Sequence, residues 1–362
     1  MILGVNLLPL RLEGGGTRHF AESLLLEFTT PPFSSRHLLF LMCFPEMREH
    51  FEKLFKGASN VAIVTVKSAV EVVACQGLFD LYFCPLNSLS PLLPARPSVA
   101  CLMDIQEKFF PAFFSEKQLN DRRILYGDVV HRSTIACTIS DFCGRTFVER
   151  MDANPERIRV VRLYPQKRLM EARPELPHDC PFKFILYPAN WYAHKNHRHL
   201  VQGYLEAKRR CAGLPDLVLV GHTMGNGDWL AGLAASDIHV YTEISPENLR
   251  ALYERSEFVV LPTLFEGYCM PLAEAIILRR PVLANDLPVM REVGGDWPTY
   301  ARLEDADQIT SALLMMHEGE GVSVPQTLPP AIAGWGWREI AAKYETIFNQ
   351  ALMMHRMENP KA

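Results

Sequence analysis

The feature of this sequence that most constrains its fold is the regular alternation of short apolar runs with helix-like stretches. In the first half the runs read ILGVNLL (2–8), HLLFLMCF (37–44), NVAIVTV (60–66), SVACLMD (98–104), TIACTIS (134–140) and IRVVRLY (158–164). Apolar runs of this kind are typical of buried parallel strands. Between two of them, Phe20, Leu24 and Phe28 recur every four residues, which places them on one helical face. The alternation predicts an α/β fold.

The alternation restarts after a proline-rich segment. Four prolines, at positions 165, 174, 177 and 181, lie among charged residues, a composition unfavourable inside helices and sheets. The runs KFILYPA, DLVLVG, IHVYT, EFVVLPT and RPVLAND follow. Because 362 residues exceed the length at which one hydrophobic core stops growing, we expect two domains.

The predicted architecture is a pair of Rossmann-like, doubly wound domains that face a central cleft. We expect the first domain at 1–165, a linker at 166–181 and the second domain at 182–344. A final amphipathic helix begins at Trp337, and its part from about 345 to 362 is predicted to pack back onto the first domain. Trp335 and Trp337 are interpreted as packing residues. Sheets of this kind bind ligands at the carboxyl ends of their strands, so the cleft is the expected site.

Charge and composition exclude several function classes. The 37 basic and 41 acidic residues give a net charge of -4, which argues against nucleic acid as a partner. No apolar run approaches the roughly 20 residues of a membrane span, and we expect no signal peptide. Nine cysteines without a C-x-x-C pair favour a reducing compartment, so a cytoplasmic protein is expected. The run FFPAFF (109–114) is predicted to pack a loop, with peripheral membrane contact as the alternative.

The stretch EGYCMPLAE (266–274) carries two acids and a helix start. It follows the run EFVVLPT, and Pro271 suits the first position of a helix. Glu266 and Glu274 should therefore lie at the carboxyl end of one strand, beside helix amides that suit a phosphate. Each carboxylate could accept hydrogen bonds from a sugar diol. Alternatively, Glu274 only complements the helix dipole and Glu266 is a solvated loop residue.

The wider sequence resembles a known family. The segment LYERSEFVVLPTLFEGYCMPLAEAIILRRPVLANDLPVMREVGG resembles the donor-binding core of retaining GT-B glycosyltransferases of family GT4, glycosyltransferase group 1, including its E-x7-E motif. YPANWYAHKNHRHLVQGY is similar to that family's lysine loop, MDIQEKFFPAFFS to its His-Asp element and LEGGGTRHFAESLL to its first glycine-rich turn. The resemblance covers nearly the whole chain.

The resemblance implies a reaction. A hexose, mannose by preference, would move with retention of configuration from a nucleotide diphosphate sugar, GDP-mannose first, to a hydroxyl of a glycan or lipid-linked acceptor. Surface polysaccharide synthesis is the expected setting. The family is metal-independent, so no metal and no cofactor besides the donor substrate is expected.

The resemblance also implies site residues in the second domain. Glu274 would bind the nucleotide ribose, Glu266 the transferred sugar and Lys195 the donor diphosphate, where an ammonium stabilises the leaving group. Further donor contacts are expected at Asn190, Gly221, Gly267, Tyr268, Cys269, Met270 and Leu272. Asn190 stands where the family often has arginine, and Cys269 where it commonly has glycine, which leaves the sugar contact there open.

In the first domain, Gly14, Gly15 and Gly16 follow the first strand, and glycines there let the backbone approach a ligand closely. The resemblance implies that Gly15 and Gly16 approach the donor phosphate. Asp104 completes the predicted catalytic set of Lys195, Glu266 and Asp104, with a turn cap as its alternative role. It follows Met103, which stands where the family has a histidine and which cannot transfer a proton.

Two competing functions remain at this stage. A catalytically silent relative that binds nucleotide sugar or a partner enzyme would explain Met103 and Cys269. A metal hydrolase could use His194, His197 and His199, since two histidines three apart share a helical face. We expect no metal, because no carboxylate or cysteine lies at a recognised ligand spacing.

Overall fold

Two compact units make up the protein in a computed structural model that describes residues 1–11, 15–223, 237–319 and 324–360. The first unit comprises Met1–Leu163 together with Trp335–Ala362, and the second comprises Tyr164–Gly334. Each unit is built on its own parallel sheet. The predicted α/β class, with two doubly wound sheets, is confirmed.

The sheet of the first unit has seven strands in the order β3-β2-β1-β4-β5-β6-β7. Every pairing in it is parallel, and β1 lies between β2 and β4, so the strand order reverses beside β1. The strands are β1 Ile2–Asn6, β2 Leu38–Cys43, β3 Val61–Thr65, β4 Leu81–Cys84, β5 Ser98–Cys101, β6 Ile135–Thr138 and β7 Ile158–Val160.

Helices of the first unit come from both ends of the chain. They are α1 Gly16–Phe28, α2 Arg48–Leu54, α3 Ala69–Cys75, α4 Glu116–Arg132, α5 Asp141–Met151 and, from the far end, α12 Trp337–Glu358. Phe20, Leu24 and Phe28 are buried on α1, as their spacing predicted. The ring of Phe348 on α12 lies 6.0 Å from that of Phe28 and 5.1 Å from that of Phe83 on β4. The last helix is therefore part of the first unit's core.

The sheet of the second unit has six parallel strands in the order β10-β9-β8-β11-β12-β13. They are β8 Phe184–Pro188, β9 Asp216–Val220, β10 Ile238–Tyr241, β11 Val259–Leu261, β12 Val282–Asn285 and β13 Thr299–Ala301. The helices are α6 Lys167–Glu171, α7 His197–Arg210, α8 Pro246–Arg255, α9 Met270–Ile277, α10 Pro288–Gly294 and α11 Ala306–His317. Strand β8 lies between β9 and β11, so the order reverses between β8 and β11.

Helices α7 and α11 pack closely because a glycine lies between them. A Cβ on Gly203 would stand 2.7 Å from the Ala306 carbonyl oxygen and 2.9 Å from Ile309 Cβ. These separations are shorter than any tolerated contact, so the approach of the two helices requires glycine at this position.

The boundaries of the units differ from the predicted ones in two places. Residues 166–181, predicted as a linker, lie within the second unit and include α6. They are held there because Arg250 donates to the Met170 carbonyl and Asn248 Nδ2 donates to the Glu175 carbonyl at 2.6 Å. The prolines of this segment prevent a long helix, but the residues between Pro165 and Pro174 can still form the short helix α6. Residues 335–344, predicted in the second domain, belong to the first unit, because α12 begins at Trp337.

Trp335, just before α12, and Trp337, its first residue, both take packing roles. Trp335 Nε1 donates to the Arg162 carbonyl at 2.9 Å, and Trp337 is buried with its ring 6.5 Å from that of Phe20. Within the described residues, none of the helices combines the length and the apolar character that crossing a bilayer requires.

Most aromatic side chains of the run at 109–114 pack against neighbouring side chains of the first unit. The Phe110 and Phe113 rings stack at 5.2 Å, the Arg150 guanidinium lies 4.0 Å from the centre of the Phe109 ring, and Arg122 lies 4.3 Å from that of Phe114. Cations over aromatic faces are attracted by the ring quadrupole. Phe113 remains 39% exposed.

Candidate functional site

Two loops of the second unit meet where its strand order reverses. One loop follows β8 and contains Lys195, and the other follows β11 and contains Glu266. Lys195 Nζ donates to Glu266 Oε1 at 2.5 Å, with side chains only 15% and 12% exposed. Ligands of doubly wound sheets bind outside the carboxyl ends of strands at this reversal. The structure thus brings the two predicted charges together at the expected place.

The backbone around Lys195 is held from behind. Residues Ala193–Lys195 form one 3-10 turn, and Asn196 then takes a positive φ of 61° before α7 begins. The Tyr187 hydroxyl donates to the Lys195 carbonyl at 2.6 Å, and Asn196 Nδ2 donates to the Leu303 carbonyl at 2.9 Å. Tyr187 is fully buried, and burial raises its pKa well above the ordinary value, so the hydroxyl stays a donor. The lysine is therefore presented by a fixed turn.

Hydrogen bonds join the two loops directly. The Leu264 amide donates to the His194 carbonyl at 2.7 Å, and Thr263 Oγ1 donates to the same oxygen at 3.2 Å. Asn285, at the end of β12, donates through Nδ2 to the Thr263 carbonyl at 2.9 Å. These bonds set the separation of the loops and hence that of Lys195 and Glu266.

Asn190 and Gly221 hold the backbone of a third loop, the one after β9. Asn190 Oδ1 accepts from the His222 amide at 3.0 Å. Gly221 has a φ of 138°, and a Cβ there would stand 2.5 Å from the Ala189 carbonyl oxygen. Both residues thus have a structural use that the sequence did not predict: they let the loops after β8 and β9 pack together. Their predicted donor contacts stay predictions.

Helix α9 begins beside Glu266 with a strained residue. Cys269 is buried and has a φ of 65°, a conformation that favours glycine. Burial raises the pKa of its thiol well above the ordinary value. A cysteine occupies the same backbone conformation at an energetic cost.

The backbone amides at the start of α9 differ in whether they already have a hydrogen-bond partner. The Leu272 amide donates to the Cys269 carbonyl at 3.1 Å, so it already has a partner. The described part of the chain supplies no hydrogen-bond partner for the Cys269 and Met270 amides, as is usual at a helix N-terminus. Tyr268 buries its side chain, and Gly267 precedes it in the same loop. The two amides suit an anion.

Glu274 lies in the first half of α9 and is 9% exposed. The Tyr253 hydroxyl, on α8, donates to Glu274 Oε2 at 2.6 Å. Burial raises the pKa of the Glu274 carboxyl, and the hydrogen bond from Tyr253 opposes this increase without cancelling it. The predicted contact of Glu274 with the ribose and its alternative role at the helix dipole both stay predictions.

Two of the three histidines near Lys195, His197 and His199, make contacts within the local structure. His197 is buried, its ring lies 4.3 Å from that of Trp191, and its Nε2 is 3.1 Å from the Ala189 carbonyl oxygen. Burial lowers the pKa of His197 to about 3, so the ring is neutral. His199 Nδ1 is 2.7 Å from Asn196 Oδ1. His194 precedes the helix, so the predicted shared helical face of His194 and His197 is wrong, because the left-handed residue Asn196 separates them. Across the described ranges, no three His, Cys, Asp or Glu side chains are grouped to hold a metal ion.

The predicted residues of the first unit lie on loops after its own strands. Gly15 precedes α1, and its carbonyl accepts from the His19 amide at 3.2 Å. A Cβ on Gly16 would meet no atom within 4 Å, so the backbone there is open to a close approach. Gly14 lies outside the described residues.

Asp104 caps a turn in the first unit. Its Oδ1 accepts from the Gln106 amide at 3.1 Å, which is the structural role that the sequence left open for it. Met103 is buried, and its amide donates to Asn87 Oδ1 at 2.9 Å. The predicted catalytic role of Asp104 stays a prediction.

Sequence reasoning gave no role to Tyr187, Tyr253, Thr263 and Asn285. Each uses a polar side-chain group to fix a loop or side chain of the site. One signal was available: a tyrosine on an apolar strand or helix face must find a partner for its hydroxyl. The identity of that partner depends on tertiary contacts.

Comparisons with known proteins match this chain to glycosyltransferases. A family model described as "Glycosyl transferases group 1" matches residues 183–318, which include all the second-unit site residues from Asn190 to Glu274. The chain is 26% identical over 230 residues to the MMP alpha-(1->4)-mannosyltransferase of Mycolicibacterium hassiacum, covering 59% of this chain and 54% of that protein. It is 24% identical over 238 residues to the O-antigen chain mannosyltransferase RfbU of Salmonella typhimurium, covering 64% and 63%. The matches thus span between half and two thirds of these relatives.

Solved structures share the fold over almost the full length. A glycosyltransferase from Rickettsia africae matches with a TM-score of 0.64 and 14% identity, covering 97% of this chain and 98% of that one. Sucrose-phosphate synthase from Thermosynechococcus elongatus matches with a TM-score of 0.68 and 12% identity, covering 97% and 99%. At these identities the likeness concerns the fold alone.

Proposed function

We propose that this chain, which has the GT-B fold, is a member of the glycosyl transferases group 1 family and transfers a hexose from a nucleotide diphosphate sugar to a hydroxyl group of a glycan or lipid-linked acceptor. The observation that supports the proposal best is the pairing of Lys195 with Glu266 at 2.5 Å where the strand order of the second sheet reverses. A cation, two carboxylates and a helix N-terminus meet there, and an activated sugar offers a diphosphate and hydroxyl groups to match them.

The proposed roles follow from charge and position. Lys195 pairs with the donor diphosphate, and the amides of Cys269 and Met270 donate to its oxygens. Glu266 then exchanges its contact with Lys195 for hydroxyls of the transferred sugar. Glu274 accepts hydrogen bonds from the ribose.

In the proposed reaction, the bond between the sugar C1 and the diphosphate oxygen breaks, and a bond from C1 to the acceptor oxygen forms on the same face. The acceptor proton passes to the departing diphosphate, so no covalent enzyme intermediate is needed. Lys195 stabilises the charge that builds on the leaving group, which is where preorganised electrostatics contribute most. Positioning of donor and acceptor lowers the remaining barrier.

Mannose, GDP and metal independence are finer parts of the proposal. Two relatives are named as mannosyltransferases, which supports mannose as the transferred sugar. His197 and His199, beside Lys195, have structural partners, which supports a donor site that works without a metal. Nine free thiols support a reducing, cytoplasmic location. Phe113, exposed on the aromatic run, is where we place any peripheral membrane contact.

A thermal-shift screen with GDP, UDP, dTDP and ADP tests the proposal first. A ligand that binds only the folded state raises the melting temperature, so one nucleoside diphosphate should stabilise the protein more than the others do. The matching sugar nucleotide should then be turned over when a hydroxyl acceptor is supplied. Absence of stabilisation by all four nucleotides would contradict the proposal.

The second candidate, a catalytically silent relative, is favoured by the buried Met103 and the turn-capping Asp104. The same screen separates the two functions. Binding of a nucleotide without turnover of its sugar derivatives, over a broad panel of acceptors, would favour the silent form.

A further inference from the structure

A buried contact connects α8 to the site through Glu274. Tyr253 has 0% exposure, and its hydroxyl donates to Glu274 Oε2 at 2.6 Å. Because Tyr253 is fully buried, it cannot touch a ligand itself. Any influence of Tyr253 on the site therefore passes through the Glu274 carboxylate.

The Glu274 carboxylate needs an orienting partner. The last torsion of a glutamate side chain is broad, so packing of its methylene groups leaves the plane of the carboxylate undetermined. No cation of the described residues pairs with Glu274, and the Tyr253 hydroxyl is the one side-chain partner that the described part of the chain gives it. A short hydrogen bond from a buried hydroxyl fixes that plane.

Orientation of the plane matters for a diol. Two adjacent hydroxyls can donate to one carboxylate only when the carboxylate edge faces them, because each oxygen accepts along its lone-pair directions. Oε2 retains acceptor capacity while it accepts from Tyr253, since an ionised carboxylate oxygen has more than one lone pair. The hydrogen bond therefore directs the carboxylate without consuming it.

We propose that Tyr253 is a positioning residue that, through its hydrogen bond to Glu274, directs the carboxylate at the ribose diol of the bound nucleotide. The inference rests on the proposed function, in which Glu274 binds the ribose. It adds that selection of a ribonucleotide over its deoxy analogues depends on a residue that the ligand never contacts.

The test compares Tyr253→Phe with the wild-type protein by calorimetric titration of GDP and of 2′,3′-dideoxy-GDP, with UDP and its dideoxy analogue used in the same way. Tyr253→Phe should weaken binding of the ribonucleotide about tenfold, because a hydrogen bond to a charged group is lost. Binding of the dideoxy analogue should stay within about twofold of wild type. A general structural defect would weaken both ligands equally, so the ratio of the two affinities is the decisive readout.

Two further variants complete the experiment. In Tyr204→Phe, a buried hydroxyl that donates to the Asp237 carbonyl at 3.0 Å is removed from α7, and both affinities should remain those of wild type. In a Glu274→Ala background, Tyr253→Phe should cause no further loss, because its route to the ligand is already absent. Circular dichroism of each variant establishes that it is folded.

The outcomes separate the inference from the function on which it rests. If the wild-type protein binds none of GDP, UDP, dTDP and ADP, the proposed function is overturned and the inference falls with it. If the wild-type protein binds a ribonucleotide, and Tyr253→Phe leaves its affinity unchanged or weakens both forms equally, the inference alone is overturned.

Discussion

At the residue scale, Lys195 is the side chain on which the proposed chemistry depends most. Its side chain is only 15% exposed and follows a fixed turn, so its ammonium has few alternative positions. Lys195→Ala should lower turnover of the sugar nucleotide by about a hundredfold or more while the fold stays intact, because the leaving group loses its cation. Initial rates at saturating donor measure this effect. Lys208→Ala is the matched control. It removes a lysine of α7 whose Nζ lies 3.2 Å from Asp216 Oδ1, and the variant's rate should equal that of wild type.

At position 269 we expect glycine to give a more stable protein than alanine, the reverse of their usual order in helices. A residue with a Cβ costs about 1 kcal/mol or more at a positive φ such as the 65° of Cys269, and glycine does not. Cys269→Gly should therefore be more stable than Cys269→Ala by about 1 kcal/mol, although alanine is normally the better residue at a helix. Urea unfolding of both variants measures the difference. A more stable alanine variant would show that the backbone relaxes here without cost.

Glu274 makes the stability of the protein dependent on pH in a direction that can be stated. Burial raises its folded-state pKa above that of the unfolded chain, with Tyr253 and Cys269 as the facing titratable groups. The cost of the buried charge is thus fully present above the folded pKa and is lost as the pH falls through it towards the unfolded value. Glu274→Gln, which carries no charge, should melt at a higher temperature than wild type at alkaline pH and lose this advantage as the pH falls. Melting curves from alkaline to acidic pH check the sign, and an advantage that grows on acidification would contradict it.

At the element scale, the packing of α7 on α11 gives a pair of opposite expectations. Gly203→Ala places a Cβ 2.7 Å from the Ala306 carbonyl oxygen and should destabilise the protein by about 1–3 kcal/mol. Gly127, in the interior of α4, would give its Cβ nothing within 4 Å. Gly127→Ala should therefore stabilise by about 0.5–1 kcal/mol, because alanine loses less backbone entropy. Denaturant unfolding of both variants compares the two glycines, and equal effects would contradict the role given to Gly203.

Local patterns predicted the elements well and their connections less well. The apolar runs located eleven of the thirteen strands in the described residues, because burial on two faces shows directly in the sequence, but they missed β4 and β13. Pro271 and the acids around it located the start of α9 and the loop before it. The short helix α6 was missed, because its single turn is held by side chains of α8 and not by its own composition.

The same limit applies to the candidate site. Lys195 and Glu266 are 71 residues apart in the sequence. The motif resemblance could identify both residues, but only the folded structure shows that Lys195 Nζ and Glu266 Oε1 lie 2.5 Å apart. Tyr253 could not be selected from the sequence, because its function in the site depends on which helix packs beside α9. The structural uses of Asn190 and Gly221 were missed for a related reason: both residues serve contacts between loops that follow different strands.

At the scale of the whole molecule, α12 is the element that makes the first unit discontinuous in sequence. Its Phe348 is fully buried against rings from α1 and β4. Phe348→Ala should destabilise the first unit by about 3–5 kcal/mol, since it removes a large buried side chain and leaves a cavity. Scanning calorimetry of the full chain measures this loss. Met353→Ala, on the same helix at 64% exposure, should change stability by less than about 0.5 kcal/mol.

The late position of α12 has a consequence for the protein during translation. The second unit is continuous, so all of its residues have left the ribosome before the first unit receives its last helix. Until then the partners of Phe348, which include Phe28 and Phe83, present an uncovered aromatic surface. A nascent chain with such a surface invites chaperone binding and misassembly. The first unit therefore begins to emerge before the second unit and is completed after it.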